Sequence, residues 1–230
     1  FFAGAAAFIA LRWQESQPQG PPAWFHTETH SSPSLPIAPV KLLREACETE
    51  AAKTRLPLAS LRMLVLADTN HPSVTWATEP AWNPGFNSIT KVERQFPRRR
   101  DQWIGYYRLD GSPMRFTLRS NPTHTNVLYI TLNLDQPLPP GSTQFVFRAF
   151  ETNVRPRLLR GGSLDVPLGR LPRTGGIAGA GVALPTGAEL VRFNPPDGTK
   201  KTEGNTVIVY WLSTRLGTNP PPLSVEFKMK

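Results

Sequence analysis

Three stretches of the chain alternate apolar and polar residues with a period of two. Met114, Phe116 and Leu118 alternate with Arg115, Thr117 and Arg119. Leu128, Ile130, Leu132 and Leu134 alternate with Val127, Tyr129, Thr131 and Asn133, and Leu223, Val225, Phe227 and Met229 with Ser224, Glu226, Lys228 and Lys230. A period of two sends successive side chains to opposite faces, so each stretch predicts a strand with one face on a core and one in water. Further strands are expected over 62–67, 73–78, 91–95, 103–108, 144–150, 188–193 and 206–212. Turn sequences separate them, among them Asp110-Gly111-Ser112-Pro113, Pro139-Pro140-Gly141 and Pro195-Pro196-Asp197-Gly198. About ten short strands punctuated in this way predict an all-β fold, an antiparallel β-sandwich of Ig-like or jelly-roll-like type.

One segment has a helical period. Val40, Leu43, Cys47 and Ala51 fall on one face of a helix over 40–53, which Pro39 can open. Lys41 with Glu45 and Arg44 with Glu48 form opposite-charge pairs four residues apart on its other faces. The expectation is a short amphipathic helix docked on the β body.

The beginning of the chain reads differently. Phe1 to Leu11 is uninterruptedly apolar and ends at Arg12 and Trp13. A membrane-spanning helix needs about 20 such residues, so 1–13 reads as the C-terminal half of a membrane anchor. A signal-peptide remnant and a segment packed into the fold are the alternatives. Residues 14–39 contain six prolines among Ser, Gln and Thr and read as a semi-rigid, extended linker. The expected organisation is therefore anchor 1–13, linker 14–39 and β domain 40–230, with the bulk of the protein extracytoplasmic.

Composition sharpens this picture. The 230 residues include 25 prolines, which central strands and helix interiors exclude, so a helical bundle and a doubly wound α/β fold are both disfavoured. The single cysteine leaves no intrachain disulfide, and at position 47 it reads as a small buried hydrophobe. Leu138-Pro139-Pro140-Gly141 and Leu184-Pro185-Thr186-Gly187 each lead into a strand, a similarity that turn chemistry alone explains.

Motifs for chemistry are few. Leu171-Pro172-Arg173-Thr174-Gly175 resembles the sorting signal of sortase substrates, but strand-like sequence follows where an apolar tail should be. The glycine-rich run 175–181 lacks the helix and Lys-Ser/Thr of a phosphate loop and reads as part of a flexible surface loop from 155 to 181. His26, Glu28 and His30 have glutamate one position away from the zinc-protease pattern. There is no Gly-x-Ser-x-Gly elbow. The sequence thus indicates no catalytic residue, metal or cofactor, and a non-enzyme is expected.

Charge is more informative. The net charge is +9, and residues 1–40 contribute none of the excess. Arg98, Arg99, Arg100, Arg108, Arg115, Arg119, Arg155, Arg157 and Arg160 form a candidate anion-binding set, since guanidinium groups bind phosphate and carboxylate in a bidentate manner. A second candidate patch is aromatic: Trp76, Trp82 and Phe86 in a proline-rich stretch. The function expected from these features is a binding or sensing ectodomain of a single-pass membrane-anchored protein. Its partner would be a protein or an anionic cell-envelope ligand, with the membrane reached through residues 1–13. The alternatives are a soluble basic β domain binding an anionic polymer (envelope polysaccharide, lipid head groups or nucleic acid), and an enzyme whose site the fold assembles. No nucleic-acid motif is present, which disfavours that partner.

Overall fold

The computed structural model describes residues 26–33, 35, 37–67, 73–97, 104–121, 124–152, 154, 156–172, 175–216 and 221–229. The segment 1–13 read as an anchor, most of the expected linker, Arg98–Arg100 and Arg155 lie outside this set. The first five strands are β1 (His26–Ser31), β2 (Leu58–Val65), β3 (Val74–Trp82), β4 (Ile89–Pro97) and β5 (Ile104–Tyr107). Then come β6 (Arg115–Asn121), β7 (His124–Leu138), β8 (Thr143–Glu151), β9 (Arg157–Leu158) and β10 (Leu164–Gly169). The last five are β11 (Ile177–Ala183), β12 (Ala188–Asn194), β13 (Thr199–Glu203), β14 (Thr206–Leu212) and β15 (Leu223–Met229). One helix, α1 (Ala38–Thr54), lies between β1 and β2.

The all-β fold with one accessory helix is as the alternation predicts, but the strands form three sheets. A seven-stranded central sheet has the order β13-β14-β11-β2-β3-β8-β5, and two four-stranded sheets have the orders β1-β6-β7-β4 and β12-β15-β10-β9. Pairing is antiparallel except between β11 and β2. Both small sheets cover the same face of the central one. Ala178, Ala180, Val182, Val209 and Trp211 pack on Val166, Val225 and Phe227 of the β15 sheet. At the other end, Tyr106 and Val146 pack on Phe116, Ile130 and Leu132 of the β7 sheet. Helix α1 lies on the opposite face and buries Val40, Leu43 and Cys47 against Leu61, Met63, Ile177 and Leu212.

The amphipathic reading of α1 holds: Val40, Leu43 and Cys47 are buried, and Arg44 pairs with Glu48 at 3.2 Å. Burial pushes the Cys47 thiol up to about 12. Three expectations need correction. The described residues alone form fifteen strands where about ten were expected, because polar edge strands such as β13 carry no apolar alternation. Part of the proline-rich linker is strand β1, whose extended backbone pairs with β6 from His26↔Ser120 to Ser31↔Arg115.

The third correction concerns the glycine-rich run. From Ile177 on it is not a surface loop but β11, in which all seven residues are buried, and β9 and β10 lie in the same expected loop before it. A strand buried on both faces has no reason to alternate. Its glycines let the helix come close, since a Cβ on Gly179 would fall 2.5 Å from Cys47 Sγ. The two proline turns do match each other: Ser142 N–H donates to Pro139 O at 3.2 Å and Ala188 N–H to Pro185 O at 3.1 Å. Gly141 and Gly187 supply the positive φ, 68° and 81°.

Candidate functional site

The arginine set does not come together. Arg108 and Arg119 belong to the β7 end of the molecule, whereas Arg157 and Arg160 are exposed on and beside the β9–β10 hairpin of the other small sheet. Two of them are already engaged by carboxylates. Arg108 grips Asp135 with Nε and, at 2.6 Å, with Nη2, and its hydrogen bond holds the Asp135 carboxyl below the usual range. Arg119 pairs with Glu93 across the face of β7. Arg115 is exposed on the outer face of β6. Arg98, Arg99, Arg100 and Arg155 lie outside the described residues.

The strongest internal ionic group was not legible in the sequence. Glu79 of β3 sits between Arg94, at 3.3 Å, and Arg148, at 3.7 Å. Burial outweighs both guanidinium groups and raises the Glu79 carboxyl above its usual range. Arg148 also stands over the rings of Phe96 and Phe150, 4.8 and 4.9 Å from their centroids. This group joins the central sheet to β4 with two guanidinium groups on one carboxylate, and Glu79 Oε2 and Arg148 Nε are buried without a hydrogen-bond partner among the described residues.

His30 does not complete a metal set. It hydrogen-bonds Glu28 at 3.0 Å and stacks on Phe116, while the His26 side chain lies outside the described part. Among the described residues no cluster of three or more His, Cys, Asp or Glu is arranged to hold a metal. None of the described helices is long and apolar enough to cross a membrane.

The aromatic stretch divides. Trp76 is core, 1% exposed and 4.6 Å from the Tyr107 ring, so it leaves the proposed patch. The alternation of β3 puts Trp76 on the face that α1 and the segment before it cover. Trp82 and Phe86 are surface residues, exposed to 55% and 86%. Trp82 ends β3 and Phe86 lies in the β3–β4 loop, and Ala81 of β3 is buried against Val92, Leu134 and Leu138.

Asn83 builds this loop from inside. It is fully buried. Its Oδ1 accepts from Gly85 N–H at 3.0 Å, an Asx turn that reverses the chain. Its Nδ2 donates to Asn87 O and to Leu138 O, both at 2.8 Å. Its backbone N–H donates to Ser142 O at 3.1 Å, and its carbonyl accepts from Gly141 N–H at 2.9 Å. The β3–β4 loop and the β7–β8 turn are thereby locked into one tip, with Pro84, Pro139 and Pro140 exposed around Trp82 and Phe86.

The tip has no ionisable side chain between positions 80 and 90 or between 136 and 147. In a chain of net charge +9, its surface is aromatic, proline and amide. Sequence reasoning found Trp82 and Phe86 but missed Asn83. The Asn-Pro-Gly order was the available signal, since it is turn chemistry beside two aromatics.

No known family model matches the chain, and no curated protein is similar to it in sequence. Among solved structures, the chain is similar to the M1 zinc metallopeptidase of Deinococcus radiodurans, with 14% identity and a TM-score of 0.35 over 75% of this chain and 42% of that one. A mutant of that enzyme bound to a Tyr-Ser-Ala substrate gives the same values. The two-domain mutant bound to L-tryptophan gives 13% and 0.34. The chain spans less than half the length of these structures, and likeness at this level assigns neither a family nor an activity.

Proposed function

We propose that this protein is a non-catalytic binding module whose recognition surface is the tip formed by the β3–β4 loop and the β7–β8 turn. The observation that supports this reading is the buried Asn83, which holds Trp82 and Phe86 out in solvent by hydrogen bonds from both sides of the loop. Large exposed aromatics on a fixed backbone bind without first losing loop entropy. The tip presents no carboxylate, imidazole or thiol, so its chemistry suits adhesion and not proton transfer. The anchor read from residues 1–13 would display such a module at a membrane.

The test is a titration of the ¹⁵N-labelled full chain with a soluble oligosaccharide mixture, a proline-rich peptide and anionic lipid vesicles. The expected result is that at least one of these shifts or broadens the Trp82 indole and the amides of residues 85–87, and that W82A/F86A abolishes the effect. If none perturbs the tip, or if perturbations map to the arginine-bearing strands, the proposal is wrong.

A further inference from the structure

We infer that the partner of the tip is an anionic lipid surface; this rests on the reading of the tip as the recognition surface. The chain topology carries the argument. Strand β3 ends at the tip, so antiparallel β2 begins at the same end of the central sheet, and the C-terminal end of α1 feeds β2 through residues 55–57. Strand β4 leaves the tip loop, and its Ile89 pairs with Leu138 at the other half of the tip. One end of the molecule therefore gathers residues 53–58, 80–91 and 136–143.

Two features of that end point to a bilayer. Its exposed apolar side chains, Trp82, Phe86 and Leu56, are accompanied by exposed Lys53, Arg55 and Lys91. No Asp or Glu occurs in 51–60, 80–91 or 136–147. The carboxylates that flank these stretches are each paired with an arginine: Glu50 with Arg215, Glu79 with Arg94 and Arg148, Glu93 with Arg119, and Asp135 with Arg108. Exposed cations at this end, beside carboxylates already paired with arginines, complement a negatively charged surface, and Trp with Lys or Arg is the side-chain set of a lipid–water interface.

The second feature is the backbone. Entering an apolar medium is costly for unsatisfied polar groups. Here Asn83 satisfies Gly85 N–H and the carbonyls of Asn87 and Leu138. Prolines at 80, 84, 137, 139 and 140 have no N–H to satisfy. A stable protein interface buries about 800 Å² per partner, which suits a broad face; two exposed aromatics on one locked loop suit a medium that closes around them. The charged rim would sit at the head groups, with Phe86 deepest.

The experiment uses the full chain with vesicles of phosphatidylcholine alone or with phosphatidylglycerol, carrying brominated acyl chains that quench indole fluorescence on contact. Residues 1–11 could partition by themselves, so the readout is local to the tip: the quenchable emission of wild type less that of W82F. The expected result is a Trp82 contribution to quenching in the anionic vesicles, weakened about tenfold in apparent affinity by F86A and about fivefold by K91Q. Equal quenching of wild type and W82F in anionic vesicles overturns the lipid inference. If that result accompanies tip shifts caused by the peptide or the oligosaccharides, the tip remains the recognition surface and only its partner changes. If the tip responds to no titrant, both readings fall.

Discussion

Replacing Asn83 by Ala is the sharpest structural perturbation of the proposed surface. The side chain makes three hydrogen bonds, to Asn87 O and Leu138 O at 2.8 Å and from Gly85 N–H at 3.0 Å, in a site with no exposure to water. Each such bond contributes about 0.5–1.5 kcal/mol net, so N83A should lose about 2–4 kcal/mol, a large part of the stability of an ordinary domain. N83D should be worse near neutral pH. A carboxylate still accepts from Gly85 N–H but cannot donate to either carbonyl, and it places a negative charge against both. Such an Asp has a raised folded-state pKa, so N83D should regain stability relative to wild type as the pH falls through that value. Urea unfolding followed by tryptophan emission gives the free energies, provided the slope with urea is unchanged. Hydrogen exchange at Gly85 reports the loop directly. An N83A variant within about 0.5 kcal/mol of wild type, the usual range for surface changes, with Gly85 equally protected, would refute this account of how the tip is held.

Other perturbations test the remaining links. G179A should lose about 1–3 kcal/mol by overpacking, because the new methyl meets Cys47 Sγ at 2.5 Å; the double variant with C47A should lose less than the sum by about 1 kcal/mol in a urea double-mutant cycle. Native protein should leave Cys47 unreactive towards a thiol-specific chromogenic disulfide at pH 8, and unfolding in urea should release the reaction, since burial holds the thiol up at about 12. The Asp135 carboxyl is held low by Arg108, so its contribution to stability is complete above the unfolded carboxyl pKa of about 3.9 and is lost as pH falls through the lower folded value. D135N should accordingly flatten the acid limb of the stability–pH curve measured by urea unfolding.

The parts of the fold that were legible are those with one wet face. The stretch 223–229 alternates and is β15 over the same residues, and the helical period of 40–53 lies within α1. The parts that were not legible fail for opposite reasons. β11 is buried on both faces, so its Gly/Ala run has no polar phase to mark it as a strand. β13, Thr199–Glu203, is an exposed edge with no apolar phase at all. β1 is held by backbone pairing that composition does not report. In the site, Trp82 and Phe86 stood out as aromatics in a turn sequence, but the burial of Trp76 depends on what packs over β3. Likewise, Arg108 and Asp135 are 27 residues apart, and only the tertiary fold shows that they neutralise each other.

The proposed binding site is the tip and not the arginine set. The direct measurement is sedimentation with anionic vesicles of three proteins: wild type, W82A/F86A, and R98Q/R99Q/R100Q/R115Q. The tip variant should lose at least about tenfold in affinity with an unchanged urea midpoint, whereas the arginine variant should stay within severalfold of wild type. Unimpaired binding by W82A/F86A, with binding abolished in the arginine variant, would contradict it.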